Sequence, residues 1–344
     1  MKISASVLGA SGFAGGELLR LLSQHPAFEV VGAGAGTLAG EPVPARYPGL
    51  VLGADATFVT NEEALAREAE VVFISLPHTE SMKLAEQFAG RKAVDLGGDF
   101  RLSDPGQYEK WYGTPHLAPD ALGRWVYGLT EFNRTAIEEA KLVANPGCYP
   151  AASILALGPF LEAGLIEPVP IHIDAKSGVS GAGRASGEGF GFASANENTR
   201  PYRPVGHNHI PEIEEQLSAV AGGTVTVSFV PHLVPMTRGI EVTAVALATG
   251  GATAQGLQEA LAARYEKETF IRVLGGDGLP ETRRLTGTNF AEVAVRMDDR
   301  TGKVLLFAAL DNLGKGAAGQ AVQNANLIFG FDESMGLQAS AVLP

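Results

Sequence analysis

An apolar strand pattern at residues 3–8 runs straight into Gly9-Ala10-Ser11-Gly12-Phe13-Ala14-Gly15-Gly16, and this junction limits the possible folds more than any other stretch. Residues 17–22 then have helical character and stop before His25-Pro26, and a second strand pattern occupies residues 28–33. Strand, glycine turn, helix, strand is the opening βαβ unit of a dinucleotide-binding fold. The glycines fall at positions 9, 12 and 15 instead of in the commoner two-then-three spacing. The physical need is the same, because main chain must approach a pyrophosphate resting on the helix N-terminus. A glycine turn alone also suits a merely tight connection. Its place between strand and helix favours a cofactor.

The end of the second strand should choose between NAD and NADP, an acid binding the ribose hydroxyl and a basic or hydroxyl residue suiting a 2′-phosphate. Residues 34–40 offer no acid until Glu41, with Thr37 the nearest hydroxyl, which leans towards NADP. Buried-strand runs at 70–78 and 92–101, separated by a helical stretch at 81–89, predict a parallel, doubly wound sheet. Loops leaving the carboxyl ends of such strands line the ligand crevice, which puts His78 and Arg101 near it. His78 reads equally as a polar loop residue, whereas Arg101 is a candidate anion binder.

The only cysteine lies in Asn145-Pro146-Gly147-Cys148-Tyr149-Pro150, a turn signal followed by an apolar segment that reads as a helix ending near Gly164. At a helix N-terminus the unpaired N–H groups and the dipole favour a thiolate and lower the thiol pKa, so Cys148 has the setting of a nucleophile. The other reading is a small buried hydrophobe.

Beyond that helix the pattern changes to β-rich runs at 171–175, 225–230, 240–248, 291–297 and 304–309. These predict a second, α+β domain with a largely antiparallel sheet. The glycine-rich segment Lys176–Gly206 is too long for a connector and reads as a substrate loop or lid. His207-Asn208-His209 opens a helix; an acid–base histidine serving Cys148 is expected there over a metal pair, since no third ligand is evident, although the residues alone single out none of the seven histidines and a surface or capping role stays open. Arg238 sits between a proline-stiffened loop and a strand, suited to bidentate anion binding or to an ordinary salt bridge. Residues 311–328 read as a glycine turn feeding a helix of small residues that packs back on the first domain. With 26 basic and 38 acidic residues, net −12, nucleic acid and anionic membrane are not expected as partners. The lack of a signal-like start, of a bilayer-length apolar run and of paired cysteines makes a cytoplasmic protein with no disulfide or cysteine-metal site the expectation.

Taken together, GASGFAGGELLRLL at 9–22, SLPH at 75–78, DLGGDFRL at 95–102, NPGCYP at 145–150, SGVSGAGR at 177–184, GHNHIPEI at 206–213, PHLVPMTRGI at 231–240 and DNLGKGAAGQAVQNAN at 311–326 resemble the N-acetyl-gamma-glutamyl-phosphate reductases of the aspartate-semialdehyde dehydrogenase superfamily. The resemblance implies an α/β Rossmann-type dinucleotide-binding domain, residues 1–147 and 312–344. An interposed catalytic and oligomerisation domain would span residues 148–311. It implies Cys148 as nucleophile and His209 as the acid–base residue. NADP would be bound by Gly9, Ala10, Ser11, Gly12, Phe13, Ala14, Thr37, Ser75, Leu76, Pro77, Gly178 and Asn312. The substrate would be met by Arg101, Asn145, Ser177 and Arg238, with no metal.

The implied reaction is NADPH-dependent reduction of an N-acylated glutamyl phosphate to its semialdehyde in arginine biosynthesis, by a homo-oligomer, dimer or tetramer. The chain departs from the usual family pattern at Ala35-Gly36-Thr37, where Ser and Arg are common, at Gly97-Gly98, where Ser-Ala is common, and at Ala151, where Thr is common. The nearest alternative is the same reaction on an N-blocked aminoadipyl phosphate, one methylene longer, in lysine biosynthesis. A non-catalytic NADP-binding regulatory protein is the alternative from another class.

Overall fold

The computed structural model describes residues 2–50, 52–53, 55–184 and 187–341. The chain divides into two compact units, one of residues 1–146 and 317–339, the other of 147–316 and 340–344.

The first unit is built on a six-stranded sheet of β1 (Ile3–Leu8), β2 (Phe28–Ala33), β3 (Val71–Ile74), β4 (Lys92–Asp95), β5 (Val126–Tyr127) and β6 (Leu142–Ala144), in the order β2-β1-β3-β4-β6-β5. Every pairing is parallel. All four residues of β3 are buried, as expected of a parallel strand covered on both faces. The order reverses at β1, so the ligand crevice of such a sheet lies outside the carboxyl ends of β1 and β3. The helix expected at 81–89 is a 3₁₀ helix, Met82–Phe88. Its buried residues Met82, Ala85 and Phe88 are three apart, which lines them up on one face at three residues per turn.

The C-terminal helix Gly319–Ile328 belongs to this unit and is buried all round, including Gln320, Gln323, Asn324 and Asn326. These amides are tolerated because they are bonded. Asn324 Nδ2 donates to Gly128 O and Asn145 Oδ1, Gln320 Nε2 donates to Thr130 Oγ1, and Asn326 Nδ2 donates to Met335 O.

The second unit holds a seven-stranded sheet of β7 (Ile171–Ser177), β8 (Arg200–Pro201), β9 (Val227–Leu233), β10 (Ile240–Leu247), β11 (Ile271–Val273), β12 (Ala291–Asp298) and β13 (Lys303–Leu310). The order is β11-β12-β13-β10-β7-β9-β8, antiparallel except for β11–β12 and β7–β9. Strict alternation of buried and open residues along β10 marks a sheet with one covered face. Helices Cys148–Glu162 and Ala254–Tyr265 pack on that face. The chain leaves this unit after Gly316, not at residue 311 as expected, because Asp311 and Asn312 are bonded into its loops.

Candidate functional site

In the first unit the glycine turn has two kinds of glycine. Gly9 has φ +72°, and a Cβ there would stand 2.1 Å from Ser75 O; a Cβ on Gly15 would stand 2.2 Å from Gly9 O. Both are demanded by the fold. Gly12 is not: a Cβ there would meet only Gly9 O, at 3.4 Å. Gly12 caps helix Phe13–Gln24 with no side-chain cap, and the first turn of the helix carries no acid. An open main-chain cradle at an uncapped helix N-terminus fits a pyrophosphate. Two residues that sequence reasoning missed hold the turn in shape. Asn61 Oδ1 accepts from Gly9 N at 3.0 Å, and Tyr47 OH donates to Gly12 O at 2.9 Å while lying 3.1 Å from Ala10 O. The Thr60/Glu63 capping box was the legible sign that Asn61 opens a helix. Ser75-Leu76-Pro77 leaves β3 beside Gly9, and Thr37 lies exposed in the turn after β2.

Arg101 and Asn145 are both buried. The Arg101 guanidinium donates to Leu96 O at 2.7 Å and to Asn145 O at 2.8 Å. The Asn145 amide donates to Ala317 O, in the turn that leads into the C-terminal helix, and accepts from Asn324 of that helix.

In the second unit Cys148 is the first residue of helix Cys148–Glu162, half-exposed, after an N-cap glycine with no side-chain cap. Gly316 is the residue that lets the chain pass it, since a Cβ there would stand 2.9 Å from Cys148 Cβ. Gly147 N donates to Glu212 Oε1 at 2.7 Å. Glu212 is buried and belongs to helix His209–Ala221, so one bond ties the turn of the cysteine to the helix of the histidine. Tyr149, next to Cys148, packs against the rings of both His207 and His209, at 5.7 and 6.0 Å.

The two histidines differ. His207 is buried among Tyr149, Tyr202 and Phe229, and its Nδ1 accepts from His209 N. His209 is half-buried at the start of its helix. Tyr202, from the glycine-rich segment, reaches the Tyr149 hydroxyl at 2.9 Å, and burial raises Tyr202 to a pKa of about 12.

Three neighbouring strands bring the remaining residues to one end of the sheet. Ser177 ends β7, paired with Ile240 of β10, which pairs with Leu310 of β13. Beyond this line lie Gly178, Arg238 and Asn312. Main-chain bonds of 2.9 Å from Gly178 N to Gly239 O and from Val179 N to Met236 O knit the first two loops together. A Cβ on Gly178 would stand 2.7 Å from Thr237 O. Asn312 staples the same loops, accepting from Gly239 N at 2.7 Å and donating to Ser180 Oγ at 2.9 Å. Ser177 is buried, its hydroxyl donating to Gly178 O. Arg238 is held by the fully buried Asp311, with Nε 2.9 Å from Oδ2. Asp311 was not singled out from the sequence; a carboxylate ending a strand opposite a candidate arginine was its only signal.

Residues 4–140 match the family described as semialdehyde dehydrogenase, NAD binding domain, and residues 148–312 match semialdehyde dehydrogenase, dimerisation domain. Aspartate semialdehyde dehydrogenase II from Vibrio cholerae has the same fold, with a TM-score of 0.73 at 19% identity over 96% of this chain and 99% of that one. The N-acetyl-gamma-glutamyl-phosphate reductase of Desulforudis audaxviator is 48% identical over 99% of this chain and all of its own length. That of Symbiobacterium thermophilum is 47% identical over the whole of both. With a cysteine, a histidine and a glycine cradle at the positions the sequence motifs mark, the chain belongs to the N-acetyl-gamma-glutamyl-phosphate reductase family.

Proposed function

We propose that the chain catalyses the NADPH-dependent reduction of N-acetyl-gamma-glutamyl phosphate to N-acetylglutamate semialdehyde and inorganic phosphate, in the cytoplasm. The observation that carries this reading is Cys148 at an uncapped helix N-terminus, tied through Glu212 to the helix that begins with His209. The helix dipole favours the Cys148 thiolate. The thiolate attacks the acyl carbon, a C–S bond forms, and phosphate departs with the electron pair of the C–O bond. NADPH, held by the main chain of Gly9–Ala14 with Thr37 and Ser75–Pro77 around it, supplies a hydride when bound. First-turn N–H groups of the Cys148 helix face the charge that develops on the carbonyl oxygen. His209 holds the proton that the oxygen gains and gives up, and the C–S bond breaks to return the thiolate and release the aldehyde. Arg238, oriented by Asp311, and Arg101 supply positive charge for the anionic substrate in a chain of net charge −12.

The same reading makes the protein a homo-oligomer. Support comes from the dimerisation-domain match and from the sheet face opposite the helices, where Val245, Leu247, Leu305 and Phe307 alternate with buried residues. No helix among the described residues is long and apolar enough to cross a membrane.

The test runs the reaction backwards, with N-acetylglutamate semialdehyde, phosphate and NADP⁺, following absorbance of the reduced cofactor beside Cys148→Ser. Phosphate-dependent reduction that vanishes in the variant is the expected result. Turnover only of the semialdehyde one methylene longer would move the assignment to the aminoadipyl substrate, and silence with both would overturn the proposal.

A further inference from the structure

Two carboxyl groups lie side by side and fully buried, Asp95 ending β4 and Asp99 in the turn after it. One hydroxyl serves both, with Ser81 Oγ 3.0 Å from Asp95 Oδ2 and 2.8 Å from Asp99 Oδ2. A hydroxyl has one hydrogen to donate. Asp99 is an acceptor throughout, taking Thr79 N and Tyr108 OH on one oxygen, both at 2.8 Å, and Met82 N at 3.1 Å on the other beside Ser81. The Ser81 hydrogen therefore belongs to Asp99, its closer partner. The remaining 3.0 Å contact joins two oxygens and needs a hydrogen of its own. Only Asp95 can provide it. The second oxygen of Asp95 accepts from Gly97 N at 2.9 Å, the first link of the turn that ends at Arg101. Arg101 closes that turn on Leu96 O and clasps Asn145 O.

We propose that Asp95 is a neutral carboxylic acid in the working protein, the proton-bearing end of a chain Asp95–Ser81–Asp99 that positions Arg101, and that losing this proton displaces the Arg101 guanidinium. The charged and titratable groups around it come from every neighbouring element. Asp99 and Arg101 lie on its own turn, and Tyr108 and Tyr112 on the helix Pro105–Tyr112. His78 packs on Gly98 from the loop after β3, and His116 holds Asp99 O at 2.8 Å. Burial, and then the charge of Asp99, push the Asp95 carboxyl up to about 7; Arg101 acts the other way. Once ionised, Asp95 can no longer donate to Ser81, repels Asp99, and attracts Arg101. Arg101 would leave Asn145 O for the new carboxylate, and an anion bound by Arg101 would lose its partner. Asp95 acts through Arg101 and touches no substrate.

The consequence for catalysis rests on the acyl-phosphate reading, whereas the position of the proton does not, so the two are measured separately. Infrared difference spectra of the wild-type protein between about pH 6 and about pH 8.5 bracket the titration. They should show a carboxylic-acid carbonyl band that is lost at the higher pH and is missing from Asp95→Asn. Absence of that band from wild type at the lower pH overturns the proposal without any variant having to fold. In kinetics, wild-type KM for the acyl phosphate should rise above neutrality towards tenfold per pH unit, the limit for one proton. Asp95→Asn should keep the low KM at both ends, because an amide donates to Ser81 Oγ and accepts from Gly97 N as the acid does. Asp95→Ala should have the high KM throughout. Identical KM profiles for wild type and Asp95→Asn would overturn the positioning role. A titrating band in a protein that turns over neither semialdehyde would keep the proton assignment and remove the reading of the reaction.

Discussion

Replacing Asp311 by Asn tests whether Arg238 is a prepositioned anion binder or a surface charge. Asp311 is fully buried and accepts from four donors: Arg238 Nε, 2.9 Å from Oδ2 and 3.1 Å from Oδ1, and the main-chain nitrogens of Gly287, Leu313 and Gly314. Asparagine keeps the volume but has one acceptor oxygen, so its NH₂ must face either the guanidinium or a main-chain N–H. Removing one partner of a buried pair typically costs about 3–5 kcal/mol. The part-exposed Arg238, with 20% of its side chain open, pulls the expected loss towards the low end, about 3 kcal/mol.

Urea unfolding of the variant should give a lower midpoint at an unchanged slope. In steady-state kinetics, a guanidinium freed to rotate loses ground-state and transition-state binding alike. KM for the acyl phosphate should then rise by about tenfold or more, the equivalent of about 1.4 kcal/mol, with a smaller change in kcat. A variant with wild-type KM would refute the positioning argument even if stability fell. A variant with wild-type KM and wild-type midpoint would refute the buried pair itself.

The two kinds of glycine give a second contrast. Gly12→Ala should fold normally and lose NADPH affinity in calorimetry, whereas Gly9→Ala, strained at φ +72° and 2.1 Å from Ser75 O, should lose stability first. Equal loss of stability in both would show Gly12 to be structural too. Glu212→Ala leaves the buried Gly147 N–H without its acceptor, a penalty of about 1–3 kcal/mol, and should slow alkylation of Cys148; Glu212→Gln should restore both. Asp95 also sets a pH dependence of stability. Its folded pKa is raised from 3.8 to about 7, so its contribution is complete below the unfolded value and is lost as pH rises through that window. The difference amounts to about 4 kcal/mol. Asp95→Asn should therefore gain on wild type between pH 4 and pH 8 in thermal melts, and parallel curves for the two proteins would contradict the raised pKa.

The strands were legible because burial leaves a mark at every residue. β3 is apolar throughout since both of its faces are covered, and β10 alternates since one is. What escaped was geometry carried by few residues. The two-residue strands β5 and β8 have no room for a period, and the helix Ala254–Tyr265 buries only Leu257, Leu261 and Tyr265 in a mixed background. The segment 82–88 differs from the expected helix in pitch: an apolar residue every third position fits the end of an α-helical face nearly as well as a 3₁₀ one, and only the neighbouring chain decides.

The site divides along a chemical line. Groups that must be a particular residue in a particular turn, such as Cys148 after Gly147 or the glycines at 9–15, stand out because turns and reactive side chains are rare. Groups that work by holding another residue do not, because their meaning is a distance to something remote in the sequence. Asp311 is 73 residues from Arg238, Glu212 is 65 from Gly147, and Asn61 is 52 from Gly9. Each is an ordinary polar residue until folding gives it one partner. The same argument bears on Asn145 and Asn312. Both lie in recognisable stretches beside the reactive groups, yet their amides are bonded inside the protein at both ends. Proximity in sequence to Cys148 or Arg238 therefore selects the scaffold of the site as readily as its ligands. The two are separated by asking which polar atoms still have hydrogen bonds to offer.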